Sequence, residues 1–179
     1  MTILTGLLYP LFITGIAKVF FSEKAGGSMI KQNGIIIGSE LIGQNFSEPQ
    51  YFWPRPSATN YNAMPSGGSN LGPTSAELKK EIENRRKQLI SANGGNENIP
   101  ADLLFGSASG LDPDISPQAA RYQVDRILAA RDLDHSLKTL LLNLIDEHIE
   151  RPDLGVLGEP RINVLKLNLA LDSLLKVRK

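Results

Sequence analysis

Residues Thr2–Phe21, TILTGLLYPLFITGIAKVFF, carry a single charge, Lys18, close to their end. As a helix rising about 1.5 Å per residue, about 20 such residues cover the roughly 30 Å of a bilayer's hydrocarbon core. Lys18 lies near enough to the end for its stem to carry the ammonium out to the headgroups. Pro10 is tolerable in such a setting, because the Thr5 or Thr14 hydroxyl, or a neighbouring helix, can satisfy the backbone that proline disturbs. Thr2, Gly6, Pro10 and Gly15 are small and leave grooves for a close partner helix. A cleaved signal peptide would begin with basic residues, which are missing here. A buried soluble helix would need a polar face, and this run has none. The stretch is therefore read as a retained anchor over residues 1–22, followed by one soluble domain over residues 23–179. Lys18 at the end of the span and Lys24 and Lys31 beyond it put the basic residues on the body side, which by the positive-inside rule would leave the body cytoplasmic.

The body is long enough for one real core. With 19 basic and 19 acidic residues the net charge is zero, which gives no pull toward nucleic acid. The chain has no cysteine, and so neither a disulfide framework nor a thiolate nucleophile. Asn33-Gly34 between two apolar runs predicts a hairpin, continued by Gly38–Gln44 with glycines where a strand bends or another backbone comes near. Tyr51-Phe52-Trp53 beside Pro54 and Pro56 reads as a loop pinned onto a core, the alternative being an aromatic ligand platform. Residues 57–73 have no period and contain only turn formers. Within them, backbone amides at Ser66-Gly67-Gly68-Ser69-Asn70 could cradle a phosphate or carboxylate, but no Gly-Lys-Ser/Thr ending follows to make a P-loop.

Thr74 and Glu77 form a candidate capping box for a helix to Asn93, whose Glu81, Glu83, Arg85, Arg86 and Lys87 read as a solvated face. Ser107 and Ser109 miss the central position of a nucleophile elbow between Gly106 and Gly110, which Ala108 holds. Asp112 and Asp114 read as a turn held by carboxylates, since a calcium loop needs further ligands. Ser116-Pro117 caps a helix with Ala120, Val124, Ile127 and Leu128 inward. A third helix enters through Ser136, turns Leu137, Leu140, Leu141, Leu144, Ile145 and Ile149 toward the core, and stops at Arg151-Pro152. The last, capped by Asn163, runs from Val164 to Lys176, although alternating leucines leave a strand open. His135 and His148 lack partners at metal spacing. The result is an α+β chain: one transmembrane helix, then a domain of short strands and about four helices.

Taken in order, several runs resemble the C subunit of the bacterial Kdp potassium-transporting P-type ATPase. They are Gly38-Ser39-x-Leu41-Ile42-Gly43-Gln44, Tyr51-Phe52-Trp53-x-Arg55-Pro56-Ser57-Ala58, Ser66-Gly67-Gly68-Ser69-Asn70-Leu71, Ser109–Pro117, Tyr122-Gln123-Val124 and Leu157–Asp172. Pro54, where glycine is frequent, and Phe105–Ser109 depart from the family pattern. The resemblance implies a non-catalytic, single-span accessory subunit of a high-affinity potassium importer in the bacterial inner membrane. Its implied partners are a pore-forming potassium-binding subunit, an ATP-hydrolysing P-type subunit and a small membrane peptide. The family has been described as a catalytic chaperone that raises ATP affinity through a shared nucleotide complex. A competing family picture, favoured here, places the body outside the cytoplasm. Gln44, Ser66–Asn70, Ser107 and Ser109 are the candidate nucleotide or partner contacts; no tightly bound cofactor, metal or catalytic residue is expected. Two other classes remain open. A membrane-anchored serine hydrolase would need His135 or His148 beside Ser66 or Ser107, and a lone extracytoplasmic binding module would need no membrane partner.

Overall fold

The computed structural model describes residues 1–176 and divides the chain into two compact units, Met1–Leu41 and Ile42–Lys179. In the first, the backbone is helical from Thr2 to Phe20, but as two pieces: a π-helical turn, Leu4–Leu8, and α1, Tyr9–Phe20. Pro10 sits in the first turn of α1, and the Tyr9 N–H reaches back five residues to the Leu4 carbonyl. A widened turn there is the expected answer to a proline ring that would strike the carbonyl four residues earlier. The Thr14 hydroxyl donates to the Pro10 carbonyl (2.7 Å) and that of Thr5 to the Met1 carbonyl (3.2 Å), so neither takes the Gly6 carbonyl whose usual donor proline lacks. Split this way, no helix among the described residues is by itself long and apolar enough to cross a membrane.

After a short helix, α2 (Ser22–Ala25), the expected hairpin forms from β1 (Met29–Gln32) and β2 (Ile35–Ser39), antiparallel and joined by Asn33 and Gly34, both at positive φ. Lys31 pairs with Ile36 and Ile30 with Gly38, so Ile37 is an extra residue, a β-bulge beside the predicted bending glycine. The strand stops at Ser39 and does not run on to Gln44: the Ser39 hydroxyl donates to the Gly27 carbonyl (2.7 Å) and accepts from the Leu41 N–H (3.1 Å).

The second unit is helical, with one further two-stranded ribbon. Helix α3 (Ala76–Ala92) is capped by Ser75, whose hydroxyl accepts from the Leu78 N–H, and not by Thr74; the expected box is displaced by one residue. It ends at Asn93, followed by Gly94 and Gly95 at positive φ. A short helix absent from the sequence reading, α4 (Ala101–Leu104), follows, and its Asp102 accepts from the Ser116 N–H. Strand β3 (Asp114–Ile115) pairs antiparallel with β4 (Ile162–Asn163). Between them come α5 (Pro117–Tyr122), capped by Ser116 as expected, α6 (Val124–Ala130), a 3-10 turn at His135–Leu137 capped by Asp134 instead of Ser136, and α7 (Lys138–Glu147). Helix α7 ends at Glu147, before Arg151-Pro152. The alternating leucines of residues 164–176 resolve as helix, α8 (Val164–Lys176), with the Asn163 side chain accepting from the Lys166 N–H. The inward faces read from the 3.6 period pack as one core with Ile115, Ile162, Leu167 and Leu171.

Across that core lies the chain Tyr51–Trp53. Phe52 is fully buried, and its main chain is gripped from α8: the Asn168 amide accepts from the Phe52 N–H (2.8 Å) and donates to the Phe52 carbonyl (3.0 Å). At the α5–α6 break Gln123 does the same to Trp53, accepting from its N–H (2.7 Å) and donating to its carbonyl (3.1 Å). Arg126, 5% exposed, stacks 3.9 Å from the centre of the Trp53 ring and donates to the Pro49 and Tyr51 carbonyls and to Gln123. Burial lowers its pKa to about 10. The aromatic run is thus a pinned loop and not a ligand platform. Asn168→Ala leaves a buried N–H and carbonyl of Phe52 unpaired, so about 2–4 kcal/mol of stability should be lost, measured by urea unfolding in detergent through the single tryptophan, Trp53.

Candidate functional site

Beyond the pinned run, three loops carry most of the sequence-predicted site residues, and the structure knits them together. Arg55 pairs with Asp112 at 2.7 Å, and the other Asp112 oxygen accepts from the Asp114 N–H (3.0 Å), the carboxylate-held turn expected of this run. Ser57 is a hub: its hydroxyl donates to the Gly110 carbonyl (2.7 Å) and accepts from the Thr59 and Tyr61 N–H groups. The Ser107 N–H donates to the Pro56 carbonyl (2.8 Å), and its buried hydroxyl accepts from the Gly110 and Asp112 N–H groups and lies 3.2 Å from the Ser109 hydroxyl. Gly110, at φ +71°, is irreplaceable by geometry, because a Cβ there would lie 2.6 Å from the Thr59 hydroxyl and 2.8 Å from the Gly67 carbonyl. Gly43 has the role foreseen for its glycine: its N–H donates to the Leu111 carbonyl, and a Cβ would meet the Asp112 carbonyl at 2.5 Å.

Two adjoining open clefts result. The larger, about 600 Å³, is lined by Ser57–Thr59, Pro65–Leu71 and, from α3, Glu77, Glu81 and Arg85; the smaller, about 290 Å³, by Gly68–Leu71, Leu78, Arg85 and Phe105–Ala108. Ser66–Asn70 and Ser107 therefore come together. Ser109 supports Ser107 from behind, and Gln44, half-buried next to Gly43, is not among the residues lining either cleft. Sequence reasoning misplaced Arg85. It does not belong to a solvated face but donates to the Leu104 carbonyl (3.0 Å) and pairs with Glu81 (2.8 Å) at the cleft wall. Its position four residues after Glu81 was visible, but nothing local marked which way the pair faced.

The charges lining the two clefts are Glu77, Glu81 and Arg85, and Arg85 is already matched by Glu81. A nucleotide triphosphate would meet a net negative wall without a free cation, so these residues do not fit that group. Nor does the hydrolase reading find its base. His148 bonds through Nδ1 to the Leu144 carbonyl, and neither histidine is hydrogen-bonded to a serine of either loop. Among the described residues no three His, Cys, Asp or Glu side chains gather to hold a metal.

Tyr61 ties the first loop to the aromatic run by donating to the Arg55 carbonyl, and burial, reinforced by Asp112, pushes its pKa up to about 12. Above pH about 10 the unfolded chain loses this proton while the folded chain keeps it, so stability falls as pH rises from about 10 to about 12. Tyr61→Phe should lower stability by about 1 kcal/mol at pH 8 and remove that part of the alkaline decline, read from urea midpoints across the range.

The family model described as K+-transporting ATPase, c chain, matches residues 1–173. The protein called Potassium-transporting ATPase KdpC subunit in Dechloromonas aromatica is 52% identical over 180 residues, covering 98% of this chain and 93% of that one. Proteins of the same name in Polynucleobacter asymbioticus and Herpetosiphon aurantiacus are 51% and 49% identical, over 96% and 97% of this chain and 92% and 90% of their own. Similarity of this depth along almost the whole length places the chain in the KdpC family, the c chains of potassium-transporting ATPases.

Proposed function

We propose that this chain acts as the non-catalytic accessory subunit of an ATP-driven potassium importer, fixed to the bacterial inner membrane by its first residues, with its body outside the cytoplasm. Membership of the c-chain family supports the subunit role. The observation that carries the anchor is exposure: Ile3, Leu4, Leu7, Leu8, Leu11, Phe12, Val19 and Phe20 are each more than half exposed, and no residue of α1 is buried. Apolar surface on every side of a helix is costly in water and favourable in hydrocarbon. The π turn and α1 act here as one rod, Thr2 to Phe20, whose roughly 28 Å length approaches the hydrocarbon thickness. Most main-chain bonds are satisfied inside the rod, and the Gly6 carbonyl that proline leaves without its usual donor is open to a neighbouring helix. The partners proposed are the pore-forming, ATP-hydrolysing and small membrane subunits of the same pump. Direct contact with nucleotide forms no part of the proposal, because the cleft walls carry the wrong charge and Gln44 stands apart from them.

One tagged, full-length Lys87→Cys chain tests both halves, since Lys87 is exposed and the native chain has no other thiol to react. Extracted in detergent, it should co-purify with the larger pump subunits, and an impermeant maleimide should label it in intact cells. Dispersal without detergent and without those subunits would refute the assignment. Labelling only after lysis would place the body on the cytoplasmic side.

A further inference from the structure

The stretch Pro65–Leu71 has an unusual hydrogen-bond balance. No main-chain N–H or carbonyl in it, and none of the Ser66, Ser69 and Asn70 side chains, is hydrogen-bonded to any other described part of the chain. It runs as open coil, neither helix nor turn, from Ser66 until Asn70 turns left-handed at φ +54°. Its place is nevertheless fixed by packing on one side: a Cβ at Gly68 would lie 3.0 Å from the Ala108 carbonyl, and the Gly67 carbonyl presses on Gly110. The other side opens onto the two clefts. Gly67 and Gly68, half-buried and lacking side chains, leave their peptide groups approachable. Such groups are rarely left unpaired when a surface is covered, and an unpaired main-chain edge is what an added strand recognises.

We infer that Ser66–Ser69 is a docking edge for an extended segment of a partner subunit, which binds by main-chain hydrogen bonds along this edge and lies in the adjoining clefts. The inference rests on the accessory-subunit reading above. Charge selects a polypeptide as the occupant. The walls are net negative, Arg85 is held by Glu81, and the side chain of Glu77, exposed at the cleft margin, makes no ion pair or hydrogen bond with another described residue. A polyanion is repelled there, whereas a partner segment placing one lysine or arginine near Glu77 is complemented. The hydroxyls of Ser66 and Ser69 and the Asn70 amide, both donors and acceptors, suit a polar segment in either register.

Amide hydrogen exchange over residues 64–72 in the full-length chain, alone in detergent and in the pump complex purified through its tag, tests the edge. Exchange should be fast in the free chain and slow by about tenfold or more in the complex. Ser69→Pro removes one donor that has no partner among the described residues, so unfolding of the free subunit should be unchanged while its recovery with the pump falls about tenfold. Ser69→Ala, which keeps the main-chain donor, should lose less recovery than Ser69→Pro. Equal exchange in both states, or normal recovery of Ser69→Pro, overturns the inference while leaving the subunit role intact. Slowing of the free chain by magnesium-ATP alone also overturns it. Failure of the unmodified chain to co-purify removes the subunit reading and the docking edge together.

Discussion

Two side-chain carboxamides, Gln123 and Asn168, do for the middle of this fold what a strand ladder does elsewhere. Each accepts from one main-chain N–H and donates to the carbonyl of the same residue, so Phe52 and Trp53 have their peptide groups satisfied inside the core without belonging to any sheet. The grip is costly to break, because a buried peptide group robbed of its partner retains its full desolvation penalty. Arg126 completes it from below, and Arg131 beside it donates to the Gln50 carbonyl (2.9 Å) and pairs with Asp172 at 2.7 Å. A run with no secondary structure of its own is thereby made as fixed as the helices it crosses.

Everything on the cleft side follows from where that run emerges. Pro54 is buried and Arg55 comes out already aimed at Asp112, which fixes the 107–112 loop; Ser57 then takes the Gly110 carbonyl and closes the three loops on one another. The glycines at 43, 68 and 110 are the points where backbones approach too closely for a side chain. Against this network the open edge at Ser66–Ser69 stands out by contrast: neighbouring loops use their polar groups on each other, and this one does not.

Sequence pattern revealed the elements that depend on local chemistry. Leu141, Leu144 and Ile145 declare a helix face by spacing alone, Asn33-Gly34 declares a turn by its tolerance of positive φ, and Ser116-Pro117 declares a helix start. It was less exact where neighbouring residues share a chemistry: Ser75 replaced Thr74, and Asp134 replaced Ser136, because either member of each pair can cap. Pro10 announced a disturbance but not its form, a wide turn that parts the rod into two helical types. The long-range ties were illegible. Asn168 lies between two leucines of an apolar helix, 116 residues from the peptide it holds, and no local rule gives its partner. Arg85 failed for the same reason, since a helix face is called solvated only when nothing distant covers it.

The claim on which the account depends is that side-chain amides immobilise the main chain at Phe52 and Trp53. Hydrogen exchange of those two backbone amides in the full-length chain tests it most directly. Their exchange should be as slow as that of the buried turns of α7 and α8; rates like those of an exposed loop would contradict the account.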